Sequence, residues 1–507
     1  MRAALLGLGI VVIAACGGGN NDNDNNHQGS GGKSTGGASS GGASSGGTSS
    51  GGTGGATGGT GGATGGTGGA TGGTGGATGG SSGMDAGTDA SAGSGGMAGS
   101  GGVAGADAGC LPWTGLPTHV PTWNKSFGTP LSDRAYAVVT DSSGNAFVAG
   151  VTDGTLGATS YGGSDAYVRK VSPSANELWT HQFGSTSGGN EDAYGIAMDW
   201  SGNVLVGGIT AKGLTGASQG KFDGYVRKLT DGATAPTVAW THQFGTSEDD
   251  YVLSVAADKY DNVYATGRTL GWLGDDDAGA NAGSSDAYVR KLDGIGGVQW
   301  THQFGTSAAD QGYSVATDLI GSAYVTGYTE GDLAAPNAGG WDGFVSKVSP
   351  AGNELWTRQF GTAGADAGFG IVADVLGNVY VGGYVSGQVG CSSGGGADGF
   401  VRKYDSDGNE LWTYQFGGPD FEQVLAITIG KGKVYAAGVR YDATTNLDSF
   451  VLALTTDGAP LWMQVLQNTA GKEYAQGVFP DLSGNVFVVG YEGTLNANQA
   501  LIAKLAP

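Results

Sequence analysis

The feature that constrains this chain most is a unit that recurs seven times in its C-terminal three quarters. Each copy opens with a Trp followed, four residues later, by an apolar residue that is usually Phe, and the copies begin 50 to 61 residues apart. The opening residues are Trp123, Trp179, Trp240, Trp300, Trp356, Trp412 and Trp462. Self-similarity of this kind is typical of architectures in which each unit buries its apolar face against its neighbours.

Each unit contains four short segments with the composition of β-strands. In the second unit these include Tyr194 to Asp199, Asn203 to Thr210 and Asp223 to Leu229, which are rich in β-branched or aromatic residues and bounded by Gly, Asn, Asp or Ser. No segment shows a convincing helical period. Four strands in each of seven units predict an all-β fold, a seven-bladed β-propeller over residues 110–507.

The phase of the repeat predicts how the ring closes. If the Trp strand is the outermost strand of a blade, Trp123 to Phe127 is a lone outer strand with no partners of its own. The strands around Val478, Val486 to Tyr491 and Leu501 to Leu505 lack such an outer strand. We therefore expect one N-terminal strand and three C-terminal strands to form the last blade, which also hides two sheet edges.

The N-terminus carries the features of an export signal. After Met1 and Arg2, an apolar stretch of thirteen residues runs from Ala3 to Ala15, too short to span a bilayer as a helix. It ends in Ile-Ala-Ala-Cys16, which resembles the bacterial lipobox, and Gly17 follows. The resemblance implies a signal peptide over residues 1–15, a lipid on Cys16, and anchoring in the outer membrane or cell surface of a Gram-negative bacterium. The alternative is an ordinary signal peptide with a chance Cys.

The segment between Cys16 and the repeats is dominated by glycine. Residues 17–109 hold 40 Gly in 93 positions and no aromatic residue, Leu or Ile. Such a segment cannot bury enough apolar surface to offset the entropy of ordering, so residues 16–109 are predicted to be a disordered tether. The chain's 105 Gly follow no G-X-Y period, which excludes collagen, and its net charge of −22 argues against nucleic-acid partners. We expect a monomer.

The units resemble the bacterial β-propeller repeat called SBBP. Its pattern of Asp-x-Phe/Tyr-Val-x-Lys, Gly-x-x-x-Trp and Val-x-Asp-x-x-Gly-Asn-x-Tyr-Val-x-Gly is met nearly residue for residue by Asp286 to Trp300 and Val315 to Gly327. The resemblance covers residues 123–507 and implies the fold, but no shared reaction. The last two units depart most, since Leu452 and Ala453 replace Arg-Lys and Ala500 to Lys504 lacks the aromatic residue and the Asp.

Three kinds of polar residue recur and are best explained by packing. His181, His242 and His302 fall on the outer strands of different blades, too far apart to share a metal ion. A Lys recurs in the third strand, at Lys170, Lys228, Lys291, Lys347, Lys403 and Lys504, and could form an anion-binding ring or pair within the blades. An Asp opens that strand, at Asp165, Asp223, Asp286, Asp342, Asp398 and Asp448, and would accept backbone N–H groups.

A second set of acids precedes the first strand of each unit and predicts an acidic ring around one mouth of the channel. Its members are Asp133, Glu191, Asp192, Glu248, Asp249, Asp250, Asp310, Asp366, Asp420 and Glu473. Together with a second acidic run they give candidate ligands for a metal site, and carboxylate oxygens suit Ca²⁺; the candidates are Glu248, Asp249, Asp250, Asp275, Asp276 and Asp277. The alternative is that they cap turns.

Loop variation predicts where a ligand binds. Length and sequence vary in the loops that join the second strand to the third and the fourth strand to the next unit, and alternating strands place both sets on one face. That face would present Tyr161, Trp272, Asp332, Trp341 and Tyr441. Acids beside aromatic rings suit sugars or cations.

The sequence indicates binding rather than catalysis. It has no His-Glu-x-x-His motif, and we assign no catalytic residue and no cofactor with certainty. We expect a cell-surface lipoprotein that displays a binding or scaffolding module for a glycan, a protein or a divalent cation. The alternative is an extracellular hydrolase, such as a glycan-active enzyme, on the same scaffold. Cys110 and Cys391 are expected on opposite faces of the ring and not to form a disulfide.

The lipobox generates a direct prediction. Metabolic labelling with a fatty acid should label the wild-type protein, and Cys16→Ser should remove the label and release or mislocalise the protein, because the thiol is the acylated group. A labelled Cys16→Ser variant would contradict the lipoprotein interpretation.

Overall fold

The computed structural model describes residues 115–274, 281–390, 394–442, 446–466, 472–494 and 497–507. The regular secondary structure within these ranges is entirely β, with 28 strands in seven four-stranded sheets. The predicted all-β class and the seven blades are therefore confirmed. No helix of the described residues has the length and apolar character needed to cross a membrane. Cys16, Cys110, Cys391 and Asp275 to Asp277 lie outside the described residues.

The strands, in chain order, have the following bounds. The N-terminal strand and the first three blades are Pro121–Phe127 (β1); Asp133–Thr140, Ala146–Thr152, Asp165–Val171 and Glu177–Phe183 (β2 to β5); Glu191–Met198, Val204–Thr210, Asp223–Thr230 and Thr237–Phe244 (β6 to β9); and Asp250–Ala257, Val263–Thr269, Asp286–Leu292 and Val298–Phe304 (β10 to β13). The remaining blades are Asp310–Thr317, Ala323–Thr329, Asp342–Val348 and Glu354–Phe360 (β14 to β17); Ala367–Ala373, Val379–Val385, Asp398–Tyr404 and Glu410–Phe416 (β18 to β21); Glu422–Gly430, Lys433–Asp442, Asn446–Thr455 and Pro460–Leu466 (β22 to β25); and Lys472–Pro480, Val486–Thr494 and Ala497–Leu505 (β26 to β28).

The sheets form a closed ring. The first strand of each blade contacts the first strand of the next, from β2 through to β26 and back to β2, so these strands line the axis. The seventh sheet has the order β1-β28-β27-β26, in which Pro121 pairs with Leu505 and Phe127 with Ala500. The predicted closure by one N-terminal and three C-terminal strands is confirmed.

Every first strand contains a β-bulge at the same place. In the fourth blade the register shifts between Gly312 and Ser314, so Tyr313 has no partner in the ladder. Opposite the bulge, the second strand carries a Gly because the bulged backbone leaves no room for a side chain. A Cβ on Gly327 would lie 1.8 Å from the carbonyl oxygen of Gln311. The same approach, 1.6 to 2.0 Å, recurs at Gly150, Gly208, Gly267, Gly327, Gly383, Gly438 and Gly490.

Polar contacts from the outer half of a blade tie it to the next in six blades, whereas Trp462 Nε1 of the sixth blade has no hydrogen-bond partner among the described residues. In the fourth blade the indole Nε1 of Trp356 and the Nζ of Lys347 both donate to the carbonyl oxygen of Ser406, at 3.1 and 2.9 Å. Ser406 lies in the turn between the third and fourth strands of the fifth blade. Trp300 and Lys291 converge in the same way on Pro350. These bonds confirm the packing role of the recurrent Lys and explain the recurrent Trp.

The glycine opposite the bulge gives a stability prediction. Gly327→Ala should lower the free energy of unfolding by about 2 kcal/mol or more, because the added methyl group meets backbone atoms that cannot move without breaking the ladder. Gly216→Ala is the matched control, since a Cβ there meets nothing within 4 Å, and it should change stability by less than about 0.5 kcal/mol. Denaturant unfolding measures both, and equal effects of the two would contradict the steric explanation.

Candidate binding face

The two variable loop sets lie on one face of the ring, as expected. We call it the variable face. At the boundary between the second and third blades, the loop residue Gly220 contacts the backbone of Glu248 in the next loop. Gly339 and Ala363 make the same contact between the fourth and fifth blades. Opposite them, the tight turns between first and second strands and between third and fourth strands form the turn face. The geometry therefore agrees with the prediction that loop variation is concentrated on one side.

A recurrent Gln fastens the loop between the second and third strands. In the fourth blade the Nε2 of Gln359 donates to the carbonyl oxygen of Gly331 at 3.0 Å and to Oδ2 of Asp342 at 2.9 Å. Its Oε1 accepts the backbone N–H groups of Leu333 and Ala334 at 2.8 and 2.9 Å. Equivalent bonds are made by Gln182, Gln243, Gln303 and Gln415. Sequence reasoning missed this residue, although it recurs in Trp-Thr-x-Gln-Phe.

The Asp that opens the third strand has the predicted role of a backbone acceptor. Asp342 Oδ2 accepts the N–H of Ala338, four residues earlier, at 3.0 Å. Asp165, Asp286 and Asp398 make the same bond in their own blades. Each Asp is almost fully buried, and together with the Gln it holds the loop on the blade. The variable loops are thus attached to the blades by the same Asp and Gln, which we call the constant base of the loop.

The acids at the start of the first strands do not form an open ring around the channel. Asp133, Glu191, Asp250, Asp310, Asp366, Glu422 and Glu473 are almost completely buried at the boundaries between blades. In the sixth blade the member of this set is Glu422, and the predicted Asp420 is half-buried outside it. Burial occurs because the carboxylates are acceptors for the loop that precedes them. Asp310 Oδ2, for example, accepts the N–H and Oγ1–H of Thr306 at 2.6 and 3.0 Å.

Four of these boundary acids, Asp250, Asp310, Asp366 and Glu422, have a pKa raised above the ordinary value. Burial raises the pKa of Asp250, Asp310 and Asp366, and the neighbouring third-strand Asp of the preceding blade raises it further, while hydrogen bonds from Thr groups lower it. The pKa of Glu422 rises to about 7, chiefly because its side chain is buried; Asp398 adds to the rise, and donation from the Gly418 N–H opposes it. Glu422 is 2% exposed.

Of the predicted metal candidates, the three that the structure describes, Glu248, Asp249 and Asp250, are not gathered into a site. Glu248 is exposed, Asp249 is half-buried, and Asp250 lies inside the blade boundary, where Oδ2 accepts from Thr246. Across the described ranges, no three His, Cys, Asp or Glu side chains come close enough to hold a metal ion. The three His copies also stay within their own blades. His181 and His302 each stack on the Phe two residues later, and burial lowers the pKa of His181 to about 4, with Arg227 contributing.

Of the five residues predicted to present a ligand, one joins a larger group. Tyr441, near the end of β23, and Asp332, in the loop after β15, are exposed, and the N–H of Asn337 donates to Asp332. Tyr161 and Trp272 are half-buried, and the Trp272 ring lies against Gly274. Trp341 alone packs on the apolar cluster at the axis.

That cluster, which we call the axial cluster, fills the channel at its variable-face end. Its innermost members are the bulge residues Tyr136, Tyr194, Leu253, Tyr313, Phe369 and Leu425. Around them lie residues near the ends of the second strands, near the starts of the first strands and in the loops, namely Tyr328, Tyr384, Tyr491, Phe222, Tyr251, Trp341, Phe421 and Tyr474. The recurring aromatic residue in Ala-Tyr-Ala-Val, Ala-Tyr-Gly-Ile and Gly-Tyr-Ser-Val was the signal for it in the sequence.

The half-buried rim of the axial cluster combines aromatic faces with hydrogen-bonding groups. The Trp341 ring stacks on Tyr328 with centroids 4.4 Å apart and planes at 20°, and its Nε1 donates to Glu330 Oε1 at 2.9 Å. In the adjacent third blade, the guanidinium of Arg268 lies 4.5 Å from the centroid of Tyr251. Flat apolar rings beside planar donors and acceptors are suited to hold a polar ligand with an apolar face.

Comparison with known proteins supports the repeat. Three segments, residues 239–272, 299–334 and 355–387, match the family described as SBBP, a β-propeller repeat. They lie in the third, fourth and fifth units, and with the seven-bladed ring they bear out the resemblance seen in the sequence.

Similarity to individual proteins is distant. The chain is 26% identical over 194 residues to the regulatory protein FlaEY of Caulobacter vibrioides, which is 36% of this chain but only 19% of that protein. Among solved structures, a mutant puromycin hydrolase complexed with PGG matches 76% of this chain and 52% of its own, at 14% identity and a TM-score of 0.38. Drosophila Plexin A in complex with Semaphorin 1b matches 76% and 88%, at 8% identity and 0.28. These scores are too low to bear on function.

The buried Glu422 gives a pH prediction. Its pKa is higher in the folded chain than the ordinary 4.5, so its contribution to stability is fully present below about pH 4.5 and is lost as the pH rises towards 7. Each pKa unit corresponds to about 1.4 kcal/mol. Between pH 5 and pH 8, the melting temperature of the wild type should therefore fall by a few degrees more than that of Glu422→Gln, which keeps the acceptor but cannot ionise. Parallel pH profiles of the two proteins in calorimetry would contradict the assignment.

Proposed function

We propose that this chain is an exported, lipid-anchored β-propeller that binds a glycan at the rim of the axial cluster. The propeller supports a binding or scaffolding role in general, and the proposal narrows that role to one ligand class and one place. The observation that carries it is Trp341, a half-buried indole on the variable face that is stacked on Tyr328 and fixed by Glu330. A sugar ring packs its C–H face on such an indole and bonds its hydroxyl groups to neighbouring polar groups.

Position and support strengthen the proposal. Trp341 comes directly before Asp342, whose carboxylate is held by Gln359, so the indole is mounted on the constant base of the loop. A rigid mount lowers the entropy that a ligand must otherwise offset on binding. The exposed Asp332 and Glu330 lie in the same loop and offer acceptors for hydroxyl groups.

The hydrolase alternative gains no specific support from the geometry. The side chain whose chemistry comes nearest to that of a general acid is Glu422, because its pKa is about 7 and Asp398 lies nearby. Both carboxyls are buried at a blade boundary, where they serve the backbone. A glycosidase would instead need its two carboxyls on either side of an accessible sugar.

Glycan binding is tested with the full chain carrying Cys16→Ser, screened on an array of bacterial and plant polysaccharide fragments and titrated calorimetrically with each hit. Trp341→Ala should weaken binding at least about tenfold, or ~1.4 kcal/mol, because it removes the stacking surface. Trp200→Ala, a half-exposed Trp on the turn face, is the control and should leave affinity unchanged. An array without hits, or equal losses in both variants, would refute the proposal.

A further inference from the structure

On the turn face, the turns between the first and second strands repeat one motif in which an Asp accepts backbone N–H groups. In the third blade, Oδ1 of Asp258 accepts the N–H groups of Tyr260 and Asn262 at 2.8 and 3.0 Å. Asp318 and Asp374 hold the corresponding turns of the next two blades in the same way. The turn geometry is thus fixed by the Asp, and the two residues after it are left to project outward. No role was predicted for these turns from the sequence.

Those outward positions are apolar in four consecutive blades. Trp200 of the second blade is 45% exposed, Tyr260 of the third 64%, Ile320 of the fourth 67% and Leu376 of the fifth 78%. The corresponding residues of the first blade are Ser142 and Ser143, and the sixth blade has Lys431 in its turn. The seventh blade, which lies between those two, has Leu482 in its turn, 55% exposed, and we call the four residues of the consecutive second to fifth blades the apolar arc.

The four turns lie side by side, which makes the arc continuous. Ser201 Oγ, beside Trp200, donates to Asp261 of the third turn at 2.6 Å. The hydroxyl of Tyr264 reaches the carbonyl oxygen of Gly321 in the fourth turn at 2.8 Å, and that of Tyr324 reaches Gly377 in the fifth at 3.4 Å. Since these are turns between first and second strands, the arc runs close to the axis. A contiguous exposed apolar surface of this kind marks an interaction site.

The composition of the arc favours a membrane surface over a protein partner. Trp and Tyr are the residues enriched where apolar lipid meets water, and the ammonium of Lys259 lies 5.0 Å from the centroid of the Tyr260 ring, in a cation–π contact. Asp407 and Asp457 are exposed in the outer turns of the same face, and the whole chain has a net charge of −22. This distribution suits zwitterionic lipid better than anionic lipid.

The chain also enters the propeller from the turn face. Pro121 pairs with Leu505, and Leu505 pairs on its other side with Val486, which directly follows a turn of this face. Just before β1, the carbonyl oxygen of Pro117 accepts the N–H of Met463 at 3.0 Å, and His119 stacks on Trp462 at 4.7 Å. The segment that leads from Cys16 therefore joins the propeller on the side that carries the arc.

We infer that the apolar arc docks on the surface of the membrane to which the chain is tethered. This inference rests on the proposed lipid anchor, because a flexible tether raises the effective concentration of the propeller at the membrane to about the millimolar range. An arc of four side chains with weak affinity for lipid is then sufficient. Docking through the turn face directs the variable face, with Trp341, away from the membrane.

The test uses the full chain, acylated at Cys16, in phosphatidylcholine vesicles whose acyl chains carry bromine, a quencher of Trp fluorescence. Emission should be quenched relative to unbrominated vesicles, and Trp200→Phe should lose at least half of that quenching. The triple variant Tyr260→Ser, Ile320→Ser, Leu376→Ser should lose most of it. Leu131→Ser with Tyr441→Ser is the matched control, because these exposed apolar residues lie on the variable face, and it should be quenched like the wild type.

A second arm separates failure of the anchor from failure of the arc. The Cys16→Ser chain is floated with the same vesicles at millimolar lipid, where the arc alone should give measurable binding that falls at least fivefold in the triple variant. Addition of phosphatidylglycerol should not increase it. Unlabelled wild-type Cys16 with arc-dependent flotation refutes only the anchor. Absence of quenching and of flotation, or dimerisation of the lipid-free chain that the triple variant abolishes, overturns the docking inference.

Discussion

The ring depends on the contact between a bulged inner strand and a glycine in the strand beside it. The bulge turns the carbonyl groups of Gln311 and its six counterparts towards the second strand, and only a residue without a Cβ fits opposite. In six of the seven blades the bulge also sends one large side chain, such as Tyr313, into the axial cluster. The next residue packs on the neighbouring blade. Gly195, for example, lies against the backbone of Ser254. The β-bulge therefore places side chains in the channel and brings neighbouring blades into contact.

Much of this architecture could be predicted because its determinants are local and repeated. The recurrence of Trp123 to Trp462 defined the blades, and its phase gave the closure at β1. The Lys and Asp of the third strand were assigned packing roles that Lys347 and Asp342 confirm. Repetition alone was sufficient for these conclusions, since a residue needed in every blade points to the scaffold rather than to a ligand.

The incorrect and missed predictions have a common physical cause, which is that a sequence pattern does not show how deeply a side chain is buried. The acids before the first strands looked like an exposed ring, but Asp310 and Glu422 face inward because loop N–H groups require acceptors there. The role of Gln359 was missed because the groups it bonds to lie in a loop more than 20 residues away in sequence. The sequence did not indicate that Tyr260 and Leu376 belong to one surface, because only closure of the ring brings their turns close together.

The chain enters the propeller at the start of β1, and this has a mechanical consequence. A pull on the residues before Gly115 is applied where Pro121 meets Leu505, so it would separate β1 from β28 one pair at a time rather than shear the whole ladder at once. The contacts ahead of β1, Pro117 with Met463 and His119 with Trp462, stand in the way of that peeling because they fasten the chain to the neighbouring blade. Tension from a tether would thus be transferred first to the sixth blade, and the clasp that closes the ring would be shielded from it.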